Sequence, residues 1–79
     1  MALDIKAFAL AGGTLWGLGV CFLGIIAMFG WGASLVTVLS SLYRGYDASV
    51  LGAVIGGLWG FADGAVGCAL FAWLYNTFA

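Results

Sequence analysis

No charged residue occurs from Ala7 to Tyr43, and apolar side chains dominate that whole stretch. A short polar cluster follows, Tyr43-Arg44-Gly45-Tyr46-Asp47, and a second apolar run extends from Val50 to Leu74. The first run is too long for one membrane crossing, because about 20 residues span the hydrocarbon. It has to break, and Gly30-Trp31-Gly32 marks the place: two glycines loosen the helix and Trp31 suits the headgroup level. The pattern predicts helix 1 over about 7–30. Between 33 and 43, Ser34, Thr37 and Ser41 share one helical face, while Leu35, Val38, Leu39 and Leu42 share the other. That is the pattern of a short amphipathic helix lying in the membrane interface, the alternative being that helix 1 runs on, tilted, to Leu42. The turn then falls at 43–48, with Gly45 supplying backbone freedom and Asp47 or Ser49 capping the next helix. Helix 2 is predicted over about 49–75.

These elements define an all-α membrane protein: one domain over 1–79, built as an antiparallel two-transmembrane-helix hairpin with an interfacial amphipathic helix before the turn. Composition supports lipid as the solvent. Of 79 residues, 66% are hydrophobic and 6% charged, where a soluble domain carries about 25% charged residues. The apolar stretch after Met-Ala-Leu-Asp-Ile-Lys exceeds a signal peptide's core and follows a single Lys6, so it reads as a retained helix. The expected location is a prokaryotic inner membrane with both termini on one side. Lys6 and the amino terminus against Arg44 alone tilt the termini toward the cytoplasm. Trp31, Tyr43, Arg44, Tyr46, Trp73 and Tyr75 are the expected interface anchors. Membrane lipid is the expected surrounding partner, and a net charge of −1 excludes a basic surface for nucleic acid.

Small residues recur at every fourth position of helix 2: Gly52, Gly56, Gly60, Gly64, Cys68 and Ala72. Positions four apart share a side of the helix, so the six make a smooth groove along which another helix can approach closely. Helix 1 carries a shorter version through Ala9, Gly13, Gly17 and Cys21. Such ladders either zip the two helices together or also pack against other chains. The expectation is a homo-oligomer or a subunit of a larger membrane complex. The two helices also echo each other: Gly13, Leu15, Trp16, Gly17 and Gly24 match Gly56, Leu58, Trp59, Gly60 and Gly67 at an offset of 43, as an inverted repeat would.

Asp63 is the most informative position. It falls near the middle of helix 2, where a carboxylate costs about 2.5–3.5 kcal/mol and normally faces protein or water. Beside the glycine ladder it should point into a helix interface. Arg44, at the turn, is about 28 Å away by helical rise, and Lys6 lies at the other end. The candidates to satisfy Asp63 are protonation, the indole N–H of Trp16 or Trp59, the Thr14 hydroxyl, a neighbouring subunit, or a bound ion or proton. With no histidine, no second midplane carboxylate and no nucleophile beside a base, the chain lacks a catalytic set and a metal site. Cys21 and Cys68, separated by roughly 12 Å in depth by helical rise, read as reduced packing residues. No cofactor is expected. Trp16 and Trp59 fill gaps beside glycine or line a pocket for lipid or pigment.

Tyr43-Arg44-Gly45-Tyr46, followed by Leu51-Gly52-x3-Gly56-x2-Trp59-Gly60-x2-Asp63-Gly64-x2-Gly67-x3-Phe71-Ala72-Trp73-Leu74-Tyr75-Asn76, resembles a family of short bacterial and archaeal membrane proteins labelled bacteriophage holins. The opening Lys6-Ala7-Phe8-Ala9-Leu10-x-Gly12-x3-Trp16-Gly17 resembles the same family. The resemblance implies a two-helix membrane protein, with pore formation as an alternative role. This chain ends Asn76-Thr77-Phe78-Ala79, without the charged tail typical of holins. The single midspan carboxylate also looks like that of rotor-ring proteolipids of rotary ATPases, which implies a proton- or cation-carrying role for Asp63. Their Arg-Gln-Pro-like loop is replaced here by Tyr43-Arg44-Gly45-Tyr46-Asp47.

Overall fold

The computed structural model describes residues 2–79 and contains three helices: α1, Ile5–Ala27; α2, Ala33–Ser40; and α3, Val50–Phe78. α1 and α3 are long and apolar enough to cross a membrane. Local chemistry explains each boundary. The Asp4 carboxylate accepts the Ala7 N–H at 3.2 Å and starts α1. α1 ends at Ala27, earlier than the periodicity suggests, because Gly30 takes φ +91° and the Trp31 N–H closes back on the Ile26 carbonyl at 3.2 Å. Gly32, at φ +72°, then opens α2. Of the two candidate caps for α3, Ser49 does the capping: its Oγ accepts the Gly52 N–H at 2.9 Å. Asp47 holds Ser49 in place by accepting its hydroxyl hydrogen. α3 runs on to Phe78, three residues past the expected exit.

α1 and α3 pack antiparallel along most of their length, with Gly24 level with Ala53, Gly17 with Gly57, and Gly12 with Cys68. The far ends are clamped. Asn76 donates its amide to the Leu3 carbonyl (2.9 Å) and accepts the Leu3 N–H (2.7 Å), while Phe8 stacks on Phe71 with ring centroids 5.6 Å apart.

Small residues lie inside this pair and large ones outside. The buried positions of α1 are Gly13, Gly17, Val20, Gly24 and Ala27, and those of α3 are Gly52, Ala53, Gly56, Gly60 and Ala72. Leu15 is 76% exposed and Phe29 78%. Close backbone approach explains the glycines. A methyl at Gly17 would lie 2.8 Å from the Gly57 carbonyl oxygen, and one at Gly13 would lie 2.8 Å from that of Phe61.

The connection between α1 and α3 contains the expected short helix, α2, but does not close as a turn standing clear of the helix ends. α2 packs on α1, burying Val36 in a cluster with Val20, Ala27, Tyr43 and Tyr46 and leaving Leu35, Val38 and Leu42 exposed. The segment after it lies beside the helix pair, reaching Asp63 with Tyr43 and returning past Gly56 and Gly52 with Tyr46 and Asp47 to the start of α3. Tyr43 and Tyr46, expected among headgroups, are buried at 6% and 2% exposure. Gly45 makes this path feasible at φ +91°. The molecule measures 44 × 18 × 18 Å.

Candidate functional site

Three side chains meet at mid-height. Trp16 stands at the centre of α1 and Asp63 one residue from the centre of α3. Tyr43 reaches between them from the connecting segment. The Trp16 indole donates to the Tyr43 hydroxyl at 3.0 Å, and Tyr43 donates to Asp63 Oδ2 at 2.7 Å. The ring of Tyr43 lies parallel to that of Trp59, centroids 6.4 Å apart. Two further bonds hold the segment in place. Tyr46 donates to the Val20 carbonyl at 2.7 Å, and the Trp59 indole donates to the Arg44 carbonyl at 2.9 Å.

Asp63 therefore finds a partner outside the set read from the sequence. Trp16 acts one bond removed, Trp59 serves the Arg44 backbone, and Thr14 lies on the other flank of α1. The distance argument that separated Asp63 from the turn assumed that the turn stays at the helix end. Because the segment folds back, Tyr43 spans thirteen residues of α3, or about 20 Å of rise.

Asp63 itself is exposed at the edge of the seam between α1 and α3, rather than enclosed in it. It lines two grooves. One, of about 440 Å³, is bounded by Gly12, Leu15 and Trp16 from α1 and by Asp63, Gly64 and Gly67 from α3. The other, of about 360 Å³, lies under Leu42, Tyr43 and Trp59. On the opposite flank of the seam is a third groove, of about 260 Å³, formed by Thr14, Leu18, Cys21, Val54, Gly57 and Leu58.

The small-residue ladder of α3 faces inward. Gly60 and Gly64 meet Val20 and Trp16 of α1, Gly56 receives the Tyr46 ring, and Gly52 sits against Asp47. Cys68 packs beneath Gly12, and Ala72 is fully buried. Both cysteines are free. Trp31, Trp73 and Tyr75 are exposed near the ends, and Arg44 is exposed beside the buried tyrosines.

The offset-43 echo gains a geometric counterpart. Trp16 and Trp59 both donate to the connecting segment, and Val20 and Asp63 both accept from it. Each pair keeps the same offset. Comparison with protein-family models, with curated proteins and with solved structures finds no match.

Proposed function

We propose that this chain is a non-enzymatic integral membrane protein, a two-span hairpin that assembles laterally with copies of itself or with other membrane subunits. The observation that carries the reading is the open apolar groove of Thr14, Leu18, Cys21, Val54, Gly57 and Leu58, which runs along the outer edge of the α1–α3 contact on the flank that the connecting segment does not line. In lipid, helices associate by close packing, and small residues allow the backbones to approach. A concave face floored by Thr14, Cys21 and Gly57 between Leu18, Val54 and Leu58 is one that a neighbouring helix can fill more closely than mobile acyl chains can. The outward large side chains and inward glycines suit a lipid solvent, since soluble monomers rarely expose contiguous apolar surface beyond a few hundred Å².

The test is oligomeric state in a gentle detergent, by light scattering, with whatever co-purifies identified. Thr14→Trp combined with Val54→Trp should fill the groove from exposed positions and shift the assembly toward monomer. Leu70→Trp, exposed and away from the groove, should leave it unchanged. A wild-type monomer without partners, or an assembly indifferent to the double variant, defeats the reading.

A further inference from the structure

The groove on the Asp63 flank has the composition of a ligand site. Ligand pockets generally hold about 300–1,000 Å³ and are apolar apart from a few placed polar groups. This one holds about 440 Å³, and Asp63 is the only ionisable carboxyl in its lining. The carboxylate is oriented. Tyr43 is its only hydrogen-bond donor among the described residues, and that bond engages Oδ2. The Trp16 indole can only donate, so it takes up the tyrosine oxygen and leaves the tyrosine hydrogen for Asp63. The same bond fixes the Trp16 ring at the groove wall.

The floor is open. Nothing lies within 4 Å of a methyl built on Gly67. Charge is unmatched as well. The chain has two cationic side chains, Lys6 and Arg44, and neither lines this groove. An exposed carboxylate in apolar surroundings is complemented by a positive charge, and an indole face attracts the same charge through its ring electrons. A metal ion would need several oxygen ligands, and no group of three His, Cys, Asp or Glu side chains occurs among the described residues. An organic cation needs no such cage, because its own apolar arms cover the glycines and Leu15.

We propose that this groove binds an amphiphilic organic monocation of the quaternary ammonium or phosphonium type, with its charge against Asp63 and Trp16. The proposal rests on the bilayer placement and not on lateral assembly. Tetraphenylphosphonium is the probe. Its binding to the full chain in phosphatidylcholine nanodiscs is measured by equilibrium dialysis, with empty discs subtracted and particle size followed by light scattering.

Saturable binding is expected, weakened at least about tenfold by Asp63→Asn, which keeps the shape and can still accept from Tyr43. Gly67→Leu should abolish it by filling the floor, and the neutral analogue triphenylphosphine oxide should show no dependence on Asp63. Unsaturable partitioning into wild type, unchanged binding in Asp63→Asn, or retained binding in Gly67→Leu each overturns the proposal. Binding lost at constant particle size separates this site from the assembly surface.

Discussion

The Trp16 indole has a hydrogen to give and no lone pair to offer, and this orients the group beside it. Tyr43 accepts from Trp16 and must direct its own hydrogen to Asp63. Removing the hydroxyl strands both neighbours. Tyr43→Phe should therefore destabilise the fold by about 1–2 kcal/mol, as expected for apolar surroundings where an unpaired group finds no water. Trp16→Phe removes only the outer bond and should cost less. Titration of the purified chain from a mild detergent into SDS, followed by tryptophan fluorescence, compares the two. Equal losses would mean that the Tyr43–Asp63 bond contributes nothing of its own. Sequence periodicity could not find this trio. Periodicity assigns a residue to a face of its own helix, and Tyr43 belongs to none. A tyrosine in a polar cluster suits a headgroup as well as a midspan carboxylate, and nothing in its neighbours distinguishes the two.

At the scale of the elements, glycine does two different jobs. Gly17 lies where α1 meets α3, and a side chain there would run into the Gly57 carbonyl at 2.8 Å. Gly19, two residues on, has nothing within 4 Å. Gly17→Ala should destabilise the pair by about 1–3 kcal/mol through overpacking. Gly19→Ala should be neutral or stabilising by up to about 1 kcal/mol, because alanine is the better helix former. The same SDS titration measures both, and similar effects at the two positions would contradict the seam.

The two long helices were legible as long apolar runs on either side of one polar cluster, and Gly30, Gly32 and Gly45 were legible as places where the chain bends. The six-residue ladder of α3 was legible as a packing face, but its partner was not. A smooth face accepts a neighbouring helix, the chain's own first helix or a tyrosine ring equally well, and here Gly56 takes the ring of Tyr46. The recurrence at offset 43 carried more than spacing: Trp16 with Trp59, and Val20 with Asp63, hold one segment from both sides.

For the molecule as a whole, the clamp between Asn76 and Leu3 sets how the ends sit. An asparagine near a helix end gives no sign of a partner so distant in sequence, so this contact was invisible beforehand. Asn76→Leu removes both bonds and should free the start of the chain. Amide hydrogen exchange at Leu3 should accelerate about tenfold or more, for a loss of roughly 1.4 kcal/mol, while Trp16 and Asp63 keep their surroundings. Slow exchange in the variant would place the restraint elsewhere, in the Phe8–Phe71 stack. The 44 Å length matches the roughly 40–45 Å of a bilayer with its headgroups.

The tucked-in connection has a consequence for how such a molecule meets the cell. A chain that lays its long linker down the side of its own helix pair, with Tyr43 and Tyr46 buried, leaves little of it standing above the helix ends. In the proposed bilayer placement, soluble proteases and antibodies approaching that side would meet a short rim of Phe29, Trp31, Asp47 and Ala48, and larger contacts would form sideways, within the plane of the lipid.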